Sequence, residues 1–282
     1  MTKYLALAVA TSYWKPPENY LCKITEALRG KLLDGDFVVV SEKALSIAMG
    51  CIVNEAIVEP SRNAKFIAGV WMRVVWGYGL GVLCGFGVRL LRRLRGYPLE
   101  SGSRHKQVAL EHAGLLNALM FGSEGGIDGS NLAYSYVSLP LCNAEVFAQS
   151  IRRCIEEELG CDVCVVIADT DKTFRFGNFY FTPRPNPMRG IHSLGGVIGY
   201  VLGRGLRLKR SSTPLAVVGG RCVLAGEALT VTNIADRVRG AGSGATVWDM
   251  ASRFGVAVDG VSWEMLASVS HKPLVIVRKK AC

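Results

Sequence analysis

Acidic side chains are the minority among the charged residues of this chain, with 23 aspartates and glutamates against 33 lysines and arginines. The formal net charge of +10 favours anionic partners, among them nucleotides, nucleic acid, polyphosphates and acidic membrane surfaces, without choosing between them. Histidine is scarce: His105, His112, His192 and His271 are the full complement, and none forms a ligand pair at metal-binding spacing. Each is therefore expected to be structural. The nine cysteines follow no repeated spacing, and the single CxxC, Cys161 and Cys164, has no second pair near it. That excludes a zinc framework and a disulfide scaffold, and it suits a reducing, cytoplasmic setting. A Ser-His-Asp hydrolase is excluded by the lack of a usable GxSxG elbow, and a P-loop by the lack of Gly-Lys-Ser/Thr in register.

Long apolar runs are also missing. The uncharged stretch from Val74 to Val88 is bounded by Arg73 and Arg89 and falls short of the ~20 residues a membrane span needs. It is expected to be a buried loop or helix, with no stable membrane insertion. The N-terminal MTKYLALAVA makes a poor signal peptide and reads better as a first core strand.

With 282 residues, half of them hydrophobic, there is ample material for a packed core. Helix-like and strand-like patterns alternate: a helix near Tyr20–Arg29, a strand Phe37–Val40, a helix His105–Met120, an amphipathic helix Ala144–Leu159, the strand CVVIA before Asp169, and a last strand Leu274–Val277. Pro183, Pro185 and Pro187 mark an extended loop. The fold class is α/β (mixed α+β), in one domain or two subdomains. The expected division is residues 1–190, carrying the nucleotide and metal region, and a Gly-rich C-terminal part, residues 191–282.

Three segments carry chemistry. In Gly122–Asn131, GSEGGIDGSN, four glycines let backbone N–H groups converge on an anion. Asp128 supplies a hard oxygen ligand for Mg²⁺ or Mn²⁺, and Asn131 a hydrogen-bonding group for a nucleotide. Glu124 is a further ligand or a turn residue. Asp169-Thr170-Asp171-Lys172-Thr173 ends the strongest strand, where open α/β sheets place their ligands. Asp169 and Thr170 are metal-ligand candidates there, and Lys172 an anion-binding one. In Arg239–Thr246, Gly242 and Gly244 precede a helix, in the manner of a phosphate-binding nest or of a plain linker.

At GGIDGSN and VVIADTDKTF the sequence resembles the coenzyme F-420 glutamate ligases, through roughly the first two-thirds of the chain. The resemblance implies that fold and a metal- and GTP-dependent ligase that joins L-glutamate, or a related amine, to a carboxylate of a phosphorylated precursor through an acyl phosphate. It implies Mg²⁺ or Mn²⁺ on Asp128, Asp169 and Thr170, nucleotide contact at Asn131, and a homodimer. Ile47 stands where the family has a nucleotide-binding lysine, so that contact is lost or moves to Lys43. Two alternatives stay open. A haloacid-dehalogenase-type phosphatase would use Asp169 as nucleophile and Asp171 as general acid, but Asp236, Asp249, Asp259 and Glu264 stand singly instead of forming the acid pair it needs. A non-catalytic nucleotide- or nucleic-acid-binding relative would draw on the arginines from Arg89 to Arg95 and on Trp71, Trp76, Tyr78 and Phe86. Those aromatics lie in so apolar a stretch that core packing is expected and nucleic acid is not.

Overall fold

The computed structural model describes residues 3–122 and 124–280; Ser123, inside the first Gly-rich segment, lies outside the described residues. Among the described residues nine strands run in chain order: β1 Tyr4–Thr11, β2 Phe37–Ser41, β3 Ile52–Asn54, β4 Tyr136–Ser138, β5 Cys164–Phe176, β6 Phe179–Thr182, β7 His192–Ser193, β8 Lys209–Val218 and β9 His271–Lys279. Seven of them form one sheet in the order β1-β9-β2-β5-β6-β7, with β8 on the other side of β5, while β3 and β4 pair separately. β2 and β5 are parallel, Phe37 opposite Cys164 and Ser41 opposite Ala168. Both are apolar without alternation because both of their faces are covered.

Successive residues of the central strands feed opposite cores, as a pleat requires. Val38, Val40, Val165, Ile167 and Ile276 face the helices Tyr20–Leu28 and Ala144–Leu159. Phe37, Val39, Val166, Val275 and Val277 face the helix Ala225–Arg239. The α/β class is as expected, and the helices on both faces of the sheet give it three layers. The sheet takes β7, β8 and β9 from beyond residue 190, so the division at that residue does not fall between two sheets.

A second core packs beside the sheet, around Met72, Trp76, Leu94, Val108 and Met120. It is built on a continuous helix from Arg62 to Leu83 whose middle, Ile67–Leu80, has wide π turns. Trp71 and Trp76 both donate Nε1–H to the carbonyl of Leu119, at 2.8 Å each. Phe86 stacks on Trp76 at 5.7 Å between ring centres. Three of the four aromatics in this stretch are thus core, while Tyr78 is exposed. The helix expected over His105–Met120 is instead Glu100–His112 followed by a short turn of helix, broken at Gly114, whose φ of +81° a glycine adopts without strain.

Candidate functional site

Because β2 and β5 are parallel and in register, the segments leaving their carboxyl ends start side by side. β2 runs directly into the helix Glu42–Ala48, which places Glu42 and Lys43 at the sheet's edge. β5 continues through a bulge: Asp169 pairs with Thr213, and Lys172, three residues on, with the adjacent Ser212. A bulge of this kind re-aims side chains that a regular pleat would alternate. Asp169 and Asp171 turn inward and Thr170 outward.

The loop through Asp128 closes over these ends, held by a bridge to Ser138. The Oδ1 of Asp128 accepts from Ser130 N at 2.7 Å, an Asx turn that orients the carboxylate. Lys43 donates to the other oxygen of Asp128 and to Ser130 Oγ at 2.8 Å. Asn131, at φ +60°, turns its amide onto the third segment. Its Oδ1 accepts from Ser243 N at 2.7 Å and Ser243 Oγ at 2.6 Å, and its Nδ2 donates to Gly244 O at 3.2 Å. Asn131 is therefore a clamp between two Gly-rich loops that lie more than a hundred residues apart in sequence.

These segments enclose a cavity of about 570 Å³. Lys43, Asp128, Asn131, Asp169, Thr170, Lys172 and Gly244 all line it, whereas Gly242 does not. Gly242 instead backs onto Asn131: a Cβ there would lie 2.6 Å from Asn131 Oδ1. Lys172 donates to Asp236 at 2.9 Å, so its charge is shared with an acid on the same wall. Gly244 is packed against the following helix, and a Cβ there would lie 2.5 Å from Met250 N. Gly244→Ala is expected to push the loop off that helix and lower stability by about 1–3 kcal/mol. A urea titration checks this, and a loss under 0.5 kcal/mol, the ordinary scatter of surface changes, would show that the close approach is not needed.

Beneath the floor lies a residue that the sequence did not single out. Arg184, only 2% exposed, sits in the proline-marked loop and donates to Asp169 Oδ2 at 2.7 Å and to Glu42 Oε1 at 2.5 Å. Gly126, at φ +103°, makes room for it: a Cβ there would fall 1.5 Å from Arg184 Nη1. Burial pushes the Glu42 carboxyl up to about 7 even though Arg184 pulls it down. For Arg184, burial works against the charge, but Glu42, Asp169 and Asp171 outweigh it and raise its pKa. In the sequence its one signal is the flanking Pro183-Arg184-Pro185, which indicates loop geometry.

Arg239 likewise stands in the sequence only as the edge of a glycine loop. It lines the cavity, its Nε is buried without a hydrogen-bond partner, and burial holds its pKa below the usual guanidinium range. His271 lines the cavity too, with burial lowering its pKa to about 4, so it is neutral at physiological pH. Glu124 is not on the cavity wall. It is buried with Lys106 Nζ at 2.5 Å and His105 Nε2 at 3.1 Å, and His105 Nδ1 reaches Glu55 at 2.6 Å, so this ion cluster fixes the loop from behind. Among the described residues no group of three or more His, Cys, Asp and Glu side chains converges as a metal cage.

A search against protein families matches residues 15–243 to the family described as F420-0:Gamma-glutamyl ligase. The chain belongs to this family. The match runs past the two-thirds legible in the motifs, through Lys172, Arg184, Arg239 and Gly242. An uncharacterized protein of Methanocaldococcus jannaschii is 35% identical over 286 residues, covering 98% of this chain and 96% of that protein. Membership in a gamma-glutamyl ligase family supports an enzyme of the ligase class and a role in F420 biosynthesis, rather than the phosphatase alternative.

Proposed function

We propose that the chain is a GTP- and divalent-metal-dependent ligase that joins L-glutamate, or a related amine, to a carboxylate of a phosphorylated F-420-type precursor. The observation that carries this is a single cavity wall on which Lys43, Lys172 and Arg239 converge with Asp128 and Asp169. A cavity with both cations and carboxylates on its wall suits a phosphate that arrives with a metal ion.

The donor set fits Mg²⁺ or Mn²⁺ of that kind. Mg²⁺ commonly keeps several waters and binds through one or two carboxylates plus substrate phosphates, so no three-acid cage is required. Asp128, Asp169 and the exposed Thr170 hydroxyl would hold it. When bound, it would neutralise charge on the transferring phosphoryl group. In the proposed reaction a substrate carboxylate oxygen takes the terminal phosphoryl group of GTP, releasing GDP. The glutamate amine then forms the C–N bond, phosphate departs with the C–O electrons, and the amine gives up a proton.

The chain's own residues would orient these groups. Lys43 holds Asp128 in place, Arg184 holds Asp169, and Asn131 keeps the Gly244 loop against the nucleotide side. Ile47 lines the cavity where the family has a lysine, which makes a non-catalytic nucleotide-binding relative the second reading. The working unit we propose is a cytoplasmic homodimer.

The test is thermal stabilisation by GTP, ATP or GDP, with and without Mg²⁺ or Mn²⁺, on the wild type, Asp128→Asn and Asp169→Asn. A ligand at 100 times its Kd stabilises by about 2.7 kcal/mol, a readily seen shift. Metal-dependent stabilisation by GTP, lost in both variants, is expected. In a glutamate-ligation assay the variants should fall about 100-fold, the scale set by removing one electrostatic contact at a reacting group. No shift with any nucleotide would sink the proposal, and a shift without turnover on any acceptor would favour the non-catalytic reading.

A further inference from the structure

The helix Arg62–Leu83 has two apolar faces, and only one of them is used by the fold. Ala68, Met72 and Trp76 step by four residues into the second core, and Ala64, one step earlier, is buried as well. Phe66, Val70, Val74, Tyr78 and Val82 step by four on the opposite side and are 59%, 43%, 54%, 63% and 55% exposed. Leu83 and Val88 prolong this stripe, both of them exposed. The end of the helix Val197–Gly205 lies against Leu83, with a Cβ on Gly205 falling 3.6 Å from Leu83 Cγ. That helix adds a second exposed series, Ile198, Leu202 and Leu206.

The border of the stripe is basic. The helix Val88–Arg95 packs against the wide helix, burying Leu94 and exposing Arg89, Arg92 and Arg95. Arg95 lies over the ring of Tyr78 at 4.3 Å, so the charge and the apolar stripe are contiguous. Arg204 lies over Phe86 at 5.5 Å on the other flank, and Arg207 follows it.

We propose that this face is a docking surface for an anionic lipid membrane, on which the protein lies peripherally. An exposed apolar stripe bordered by arginines is the arrangement that inserts shallowly at a bilayer interface while its cations meet acidic headgroups. The helix is long and apolar enough to cross a membrane, with a mean hydropathy of 1.5, but a third of it is buried in the fold. Lifting it out to span would expose Met72 and Trp76, so the helix lies along the surface. A second copy of the chain is a poorer occupant, because the segments that form this face, residues 62–95 and 197–207, carry no Asp or Glu, so a self-complementary contact would give its arginines no counter-ion. Nucleic acid would leave the apolar stripe without a partner.

The test is co-sedimentation of the full chain with vesicles of phosphatidylcholine alone, or of equal parts phosphatidylcholine and phosphatidylglycerol. Binding to the anionic vesicles, weakened by salt, is expected. Arg89→Ser and Arg92→Ser should each weaken it about fivefold. Val74→Asp with Tyr78→Asp should abolish it, with an unchanged circular dichroism spectrum showing that the fold persists. The proposal is overturned if the wild type stays in the supernatant, or if neither pair of changes alters its binding. It is also overturned if the aspartate pair converts a dimer to monomers in sedimentation velocity, which would put a second copy on the stripe.

Discussion

Arg184→Met is expected to lower folding stability by about 3–5 kcal/mol, the cost of leaving buried acids without their counter-ion. The guanidinium is nearly inaccessible and bonds Asp169 at 2.7 Å and Glu42 at 2.5 Å. Removing it strands both carboxylates below the cavity floor. Methionine roughly fills the volume, so the loss reflects charge rather than a void. Arg184→Met combined with Glu42→Gln should recover part of the loss, because one of the stranded charges is gone.

The pH dependence has a definite sign. Burial raises Glu42 from 4.5 to about 7, so its contribution is fully present below about 4.5 and is lost as pH rises through about 7. Without Arg184 the opposing attraction disappears, Glu42 rises further, and the loss extends to higher pH. Urea titrations at pH 5 and 8, bracketing about 7, should therefore differ more in the variant than in the wild type. Equal differences would mean that Glu42 does not depend on Arg184. The same variant should lose the metal-dependent response to GTP, since Asp169 is aimed by Arg184.

Lys106→Met is expected to cost a similar amount, about 3–5 kcal/mol. Lys106 is wholly buried and donates to Glu124 at 2.5 Å and to the Met120 carbonyl at 2.6 Å. Burial disfavours ionised Glu124, yet Lys106 and His105 together bring its pKa down to about 2. Burial likewise disfavours protonated His105, but Glu55 and Glu124 raise it to about 10.

The two shifts set opposite limits. Glu124, lowered from 4.5, stabilises the fold above about 4.5 and loses that contribution as pH falls through about 2. His105, raised from 6.5, stabilises the fold below about 6.5 and loses that contribution as pH rises through about 10. The wild-type cluster contributes most between those limits. In Lys106→Met the acid side of the plateau should move to higher pH, because Glu124 has lost its largest attraction. Denaturation curves across this range check the shift; an unmoved acid limb would show that Lys106 does not hold Glu124. Lys106→Met with Glu124→Gln should restore much of the stability, which a mere cavity at position 106 would not allow.

Much of the candidate site was legible because its cavity-lining side chains sit in short, contiguous segments. Asp128 with its flanking glycines, and Asp169-Thr170 at the end of an apolar strand, each declare themselves locally. The structure places them on one cavity wall together with Lys43, Asn131, Lys172 and Gly244. What was not legible is how these groups are occupied. Asn131 reads as a nucleotide contact but spends its amide on the loop around Ser243. Glu124 reads as a spare ligand but is buried behind the loop with Lys106 and His105. Arg184 and Arg239 carry only a weak local signal, because a lone arginine between prolines or before a glycine is ordinary on a surface.

The division of labour follows from range. Many strand and helix positions, the mixed α/β class and the two acidic motifs are set by residues close in sequence, where hydrophobic period, capping and turn chemistry act, and they could be read from the chain alone. The pairing of buried charges depends on which distant segments meet, and that is decided by the register of β2 against β5, the bulge after Asp169 and the glycine at position 126. The outward stripe on the wide helix is of the same kind. Both of its faces are apolar in sequence, and only packing against the second core decides which one is buried and which is left to meet a partner.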